Sequence, residues 1–354
     1  DDIEVIANKI KGDLAATAEG ASGEIPARVT DLPEFAAAHA VDAPWQELDM
    51  TAQGLDDIPA LQTWPGDGGR YLTQGQVFTS HPVTGETNCG IYRVQLQDRH
   101  RALLRCHPGS GGAAHLKAWH DRGKAMPVAI ALGGPPALTC AASISLPGHV
   151  SEVNFVGYLM DSAVAMSPGR TSQLSVPATA EIVIEGRIFP GESLPEGPFG
   201  NHTGYYAPSA PAPVLRVESL CMKADAIYPC TVVGPPPMEN IHLARTAGRL
   251  LLPLLQHDCP WVRDVRMPIE SIFHRVALVS VAGESVPDLE AIQAALQSSM
   301  LLKGSKLIVL IDEDVGGLEQ KEIYWRIINR LDDARRTEGV IVDARGKPGA
   351  RKVM

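Results

Sequence analysis

Apolar and polar residues alternate with a period of two along TAEIVIEGRI, with Ile182, Ile184 and Ile188 on one side and Glu181, Glu185 and Arg187 on the other. Successive side chains of an extended chain point to opposite faces, so this spacing predicts a half-buried strand. PVAIALGG and NCGIYRVQLQD read the same way. Short runs of this kind dominate from YLTQGQVFTS onward, after the turn-forming cluster WPGDGGR (Trp64 to Arg70). Residues 60–233 are therefore expected to form a mainly antiparallel, barrel-like β domain. The first forty residues, with their Ala-rich LPEFAAAHA, read instead as helical or poorly ordered.

The period changes at GPPPMENIHLARTAGRLLLPLLQ. Ile241, Ala244, Leu251, Leu254 and Leu255 share one helical face, after a proline run that cannot lie inside a helix. Residues 234–258 are thus expected to form a linker helix. Beyond them SIFHRVALVSV and KLIVLIDEDV read as strands, and DLEAIQAALQSS and EIYWRIINRLDD as helices. That alternation predicts a smaller α/β domain over residues 259–354. The whole is a multi-domain α+β and α/β chain with a split-barrel-like centre, and it shows neither an internal repeat nor a low-complexity tract.

A chain of 354 residues can hold two or three such domains. Its formal net charge of −10 argues against a nucleic-acid partner, which would call for a basic patch. Cys89, Cys106, Cys140, Cys221, Cys230 and Cys259 are scattered without a C-x-x-C pair, which fits neither a zinc site nor a disulfide framework. Reduced thiols in a cytoplasmic protein are the expectation. No apolar run is long enough to span a bilayer, and DDIEVIANKI has no signal-peptide pattern. It also lacks an initiator Met, so trimming of the chain is expected.

Some motifs drop out on inspection. DEDVGG lacks the remaining ligands of a calcium loop, and GSGGAAH lacks the Lys-Ser/Thr ending of a phosphate-binding loop. NHT at Asn201 is formally a glycosylation acceptor, without a secretory signal to support it. What remains is a set of polar residues on strands and turns. Asn88 and Arg93 lie five apart in TNCGIYR, so both can face one site only if the strand bends or ends between them. Glu152 follows a Pro-Gly turn, and Glu196 precedes a glycine-bearing loop able to approach a flat ligand closely.

The ordered blocks WPGDGG, TNxGIYR, SE after a Pro turn, AEIVIEG, PEGPFGxHTGYY, GPPPME and LLPLLQ resemble the UbiD family of reversible decarboxylases, over roughly residues 55 to 352. That resemblance implies prenylated FMN as cofactor, with a divalent metal, usually manganese, bridging to its phosphate; potassium is a further candidate cation. Asn88 and Glu152 match the metal ligands, oxygen donors suited to a hard cation. The family's metal-binding His falls on Gly109, which leaves His107, two residues earlier, as the candidate. Ile91, Tyr92, Arg93 and Arg105 match one flavin-contacting segment, and Ser143 and Ile144 a second. Lys352 in ARKVM matches the lysine on the cofactor phosphate. Residues 1–59 match a shortened N-terminal segment, and the early stop after Lys352 puts the dimer packing of relatives in question.

The family's catalytic trio maps onto Arg93, Glu196 and Asn201. In relatives the third member is an acid that supplies the proton replacing CO2, and an amide has no such proton. Glu196, the neighbouring His202 or a relayed water would then deliver it, or the substrate is activated differently, as in a phenolic acid. The resemblance thus implies a reversible decarboxylase acting on an aromatic, heteroaromatic or α,β-unsaturated carboxylic acid. A flavin prenyltransferase would supply the cofactor, and the assembly would be a homodimer or higher homo-oligomer. The alternative is a non-catalytic assembly subunit that keeps the fold.

Overall fold

A computed structural model of the protein describes residues 7–10, 38–39, 42–144, 146, 150–271, 276–282, 286–299, 301–303, 305–311, 319–330 and 341–343. They divide into two compact units, one within Ala27–Met238 and one that holds the described residues from Glu239 onward together with residues 7–10. Among the described residues no helix is long and apolar enough to cross a membrane, and all six cysteines are free thiols.

The first unit is built on a curled half-barrel sheet. Its main strands are β1 (Tyr71–Leu72), β2 (Gln76–Ser80), β3 (Thr87–Ile91), β4 (Arg93–Asp98), β5 (Arg101–Arg105), β6 (Met126–Gly133), β7 (Ala180–Glu196) and β8 (Ala210–Met222). They are ordered β1-β4-β5-β8-β7-β6-β2-β3, every neighbour antiparallel, with Leu48–Asp49 added beside β8. Leu72, Val77, Val94, Leu104, Ile130 and Ile184 are among the fully buried residues of its core. Burying each such side chain contributes about 1.5–3 kcal/mol, and together they form one packed cluster. Three helices complete the unit: α1 (Gly111–His120), α2 (Pro136–Ala142) and α3 (Glu152–Met160).

NCGIYRVQLQD is not one strand. The chain leaves β3 at Ile91 and enters β4 at Arg93, with Tyr92 as the break. β3 pairs with β2, whereas β4 pairs with β1 and β5. The bend that Asn88 and Arg93 require therefore exists. The AEIVIEG strand departs from expectation in the other direction: Val183 and Glu185, on its supposed solvent side, are completely buried. The Glu185 carboxylate accepts hydrogen bonds from the backbone N–H groups of Arg170 (2.8 Å), Thr171 (3.3 Å) and Ser172 (2.9 Å), and from Ser172 Oγ (2.7 Å). A loop from elsewhere in the chain thus satisfies a side chain that alternation assigns to water.

The second unit holds α4 (Glu239–Asp258), α5 (Leu289–Ser298) and α6 (Gln320–Arg330) with strands β9 (Val262–Arg266), β10 (Val276–Val281), β11 (Leu307–Ile311) and β12 (Ile341–Asp343). β9 is antiparallel to β10, and β10, β11 and β12 run parallel, an α/β arrangement in which β10 and β11 are the two strands read from the sequence. In α4 the expected face is buried at Ala244, Leu251, Leu254 and Leu255 and half-buried at Ile241. Within the first forty residues, 7–10 are helical, but Ala38–His39 form a short strand parallel to Ala165–Pro168.

Candidate active site

Glu196 is the last residue of β7 and is completely buried. Arg93 opens β4 and Arg105 ends β5, where the two are directly opposed across the antiparallel pair. Like charges facing each other across a ladder repel. Glu196 resolves the conflict: its Oε2 accepts from Arg93 Nη2 at 2.8 Å and from Arg105 Nη1 at 3.1 Å. The other oxygen, Oε1, accepts from the hydroxyl of Tyr71 at 3.2 Å. Two consecutive strands and a third that ends 91 residues beyond Arg105 thus deliver an Arg–Glu–Arg cluster capped by a phenol.

The cluster is held from below. The Arg93 guanidinium lies 4.7 Å from the Phe199 ring centroid, and Phe199 in turn packs edge-on against Tyr71 at 4.7 Å. Arg93 Nε is buried and has no hydrogen-bond partner among the described residues. An unpaired buried donor is costly, and here it is a donor edge that an anionic ligand would satisfy. Burial first, and then the charge of Glu196, hold the Tyr71 phenol well above its ordinary ionisation range.

Two buried polar side chains clamp WPGDGG to PEGPFG. Asp67 accepts from the N–H groups of Trp64 (2.9 Å) and Gly200 (2.6 Å). Gln95 accepts from Gly197 N–H at 2.9 Å and donates to the Gly68 carbonyl at 2.8 Å. Gly68 has to be glycine, because a Cβ there would sit 2.2 Å from the Gly197 carbonyl oxygen. Tyr71, Gln95 and Asp67 were not identifiable from spacing alone. Asp67 lies within the WPGDGG block, but nothing local marks Tyr71 or Gln95, whose partners lie 125 and 102 residues away.

Asn88 lies on β3, and Glu152 opens α3. The Glu152 carboxylate accepts from Cys89 N–H at 3.0 Å, one residue from Asn88. Burial pushes its carboxyl up to about 6. Asn88 Nδ2 donates to the Tyr92 hydroxyl at 3.5 Å, and that hydroxyl also accepts from Gly112 N–H at 3.1 Å. A Cβ on Gly111 would lie 2.0 Å from Asn88 Oδ1, so the start of α1 is shaped to this amide. His107 stands apart: it is exposed, with its ring Nδ1 2.7 Å from the Pro108 carbonyl. Among the described residues no group of three His, Cys, Asp or Glu side chains converges.

Asn201 is engaged by its own loop. Its Oδ1 accepts from His202 N–H at 2.7 Å, and its backbone pairs with Tyr205 and Gly204. Among the described residues no hydrogen bond joins it to Arg93 or Glu196. Ile91 is half-buried at the end of β3, Ser143 caps α2 by donating to the Cys140 carbonyl at 2.7 Å, and Ile144 is buried beside it. Lys352 lies outside the described residues. A cavity of about 740 Å³ takes in Thr87, Ser151 and Val153, neighbours of Asn88 and Glu152, but none of Arg93, Arg105, Glu196 or Asn201.

Comparison with known proteins agrees with this architecture. Residues 38–236 match the model of the 3-octaprenyl-4-hydroxybenzoate carboxy-lyase Rift-related domain, and residues 241–347 that of the corresponding C-terminal domain. An uncharacterized protein of Archaeoglobus fulgidus is 36% identical over 294 residues, covering 83% of this chain and 61% of the relative. One of Aquifex aeolicus is 38% identical over 291 residues, covering 82% and 60%. The chain thus spans about three fifths of the length of these relatives. Among solved structures, vanillic acid decarboxylase of Sedimentibacter hydroxybenzoicus in its closed form superposes with a TM-score of 0.80 at 22% identity, covering 92% of this chain and 76% of that one. An evolved dimeric form of the UbiD-class enzyme HmfF of Pelotomaculum thermopropionicum, in complex with prFMN, gives 0.80 at 24% identity, covering 98% and 79%. The two matched domain models together span most of the chain, and on that ground it belongs to the UbiD family.

Proposed function

We propose that the protein catalyses the reversible, non-oxidative decarboxylation of an aromatic, heteroaromatic or α,β-unsaturated carboxylic acid with prenylated FMN. The observation that carries this reading is the buried Glu196 held by Arg93 and Arg105, with the buried Arg93 Nε left without a partner. The solved structures of similar fold that are described as a vanillic acid decarboxylase and as a prFMN complex support it.

Each residue has a task. Arg93 receives the substrate carboxylate, using a planar fork that suits it. Glu196 places a second carboxylate close by in a dry setting, which favours departure of the negative charge as neutral CO2. Arg105, Ile91, Tyr92, Ser143 and Ile144 would line the flavin, and Lys352 would meet its phosphate. Asn88 and Glu152 present oxygen donors that fit a hard divalent cation, manganese foremost, with phosphate and water completing the shell. His107 would join them only if its loop moved; potassium would be a further cation. A bound prenylated flavin would supply an electron sink for the pair that CO2 leaves behind. The replacement proton comes in this reading from a water relayed past the Glu196 carboxylate, with His202 as the other candidate. A flavin prenyltransferase supplies the cofactor, and a homodimer or higher homo-oligomer in the cytoplasm is the working form.

Asn201 favours a second reading: a non-catalytic assembly subunit that keeps the fold. Its amide carries no titratable proton, and its oxygen is already used within its loop. Co-expression with a flavin prenyltransferase, with manganese supplied, separates the two. The first reading predicts a flavin absorbance band on the purified protein and CO2 release from a panel of aromatic and acrylic acids. Bound flavin without any release supports the second, and no bound flavin contradicts the first.

A further inference from the structure

The geometry points to Tyr71 as a positioning residue that sets both members of the Arg93–Glu196 pair, an inference that rests on the decarboxylase reading for its kinetic part. Two contacts carry it. The hydroxyl, on a residue only 1% exposed, donates to Glu196 Oε1 at 3.2 Å, with the Pro198 carbonyl at 3.3 Å as a second acceptor. The ring packs edge-on against Phe199, and the Arg93 guanidinium lies over the Phe199 ring at 4.7 Å from its centroid. One side chain therefore restrains the carboxylate through oxygen and the arginine through an intervening aromatic.

Both guanidiniums bind the same oxygen of Glu196, which without a further contact leaves the carboxylate free to swivel about them. A donor on Oε1 removes that freedom and keeps Oε2 between the arginines. Charge-assisted hydrogen bonds of this kind are short and directional, and preorganised dipoles act on a reaction without reorganising during it. Burial and the nearby carboxylate keep the phenol protonated, so Tyr71 acts as a fixed donor and not as a proton carrier. The two arms are separable: Tyr71→Phe keeps the ring and loses the hydroxyl, and Tyr71→Leu loses both.

Two measurements test this, and the first needs neither cofactor nor turnover. The protein is labelled with 3-fluorotyrosine, and the Tyr71 signal is assigned among its seven tyrosines by Tyr71→Phe. The ¹⁹F resonance of Tyr71 is expected to stay unshifted over the alkaline range in which exposed tyrosines titrate, and to move on Glu196→Gln. A signal that titrates with the exposed tyrosines, or ignores Glu196→Gln, overturns the contact. In the second, flavin-loaded Tyr71→Phe is expected to lose about tenfold in kcat, with KM and flavin content unchanged. Tyr71→Leu should lose about a hundredfold, the second arm adding to the first. Parent-like turnover of Tyr71→Phe, or a loss confined to KM or flavin content, overturns the positioning role. If the loaded parent releases no CO2, the decarboxylase reading fails by itself, and the fluorine result alone decides whether Tyr71 holds Glu196.

Discussion

Two glutamates on one strand, Glu185 and Glu196 of β7, are both completely buried, yet they meet opposite surroundings. Glu185 takes three backbone N–H groups and a serine hydroxyl, all neutral donors from one neighbouring loop. Glu196 takes two guanidiniums and a phenol from three separate strands, and one of those cations retains an unsatisfied donor. The first is a closed account, and its product is a fixed loop. The second leaves hydrogen-bonding capacity open, and open capacity in a buried place is what a ligand needs. Burial of a carboxylate thus says little about function until its partners are sorted by charge and by what they leave unpaired.

The comparison breaks most visibly if the wrong glutamate matters for turnover. Glu196→Gln keeps the shape and removes the charge that separates Arg93 from Arg105; flavin-loaded protein should lose about a hundred- to a thousandfold in CO2 release, measured as initial rate. Glu185→Gln should keep rates within a few-fold and instead lose about 3 kcal/mol in urea unfolding, because an amide turns one oxygen's donors against an NH2 group. A reversed pattern would put the chemistry in the wrong place.

Glycines flank both sites and sharpen the same contrast. A Cβ on Gly169 would sit 2.2 Å from Glu185 Oε1, and one on Gly68 would sit 2.2 Å from the Gly197 carbonyl, next to Glu196. Gly169→Ala is expected to lower Tm by several degrees, about 1–3 kcal/mol, with turnover per folded molecule retained. Gly68→Ala should lose turnover about tenfold beyond its stability cost, since backbone must shift beside the catalytic carboxylate. Smallest of all, Arg105→Lys should cost a few-fold in kcat, because Arg93 still holds Glu196 and the Arg105 side chain is 39% exposed.

What could be read from the chain follows the same division. The strand break at Tyr92 was not legible from period, which reads NCGIYRVQLQD as one strand; the spacing of Asn88 and Arg93 only made a bend the condition for both to face one site. The helices and two of the strands of the second unit, β10 and β11, were legible from period, whereas β9 and β12 were not. Glu185 was misassigned to solvent because its partners lie more than ten residues upstream, beyond any alternation rule. Tyr71 meets Glu196 across 125 residues, a contact that no local pattern encodes. Asn201 was visible as a missing acid, but only the fold shows its side-chain oxygen closing its own turn.

The central claim is that the Arg93–Glu196–Arg105 cluster decarboxylates an acid although residue 201 is an amide. CO2 release by the flavin-loaded parent, Asn201→Asp and Glu196→Gln, assayed together on one acid panel, tests it most directly. Release by both the parent and Asn201→Asp, with Glu196→Gln silent, is the predicted result. Release by Asn201→Asp alone would contradict it.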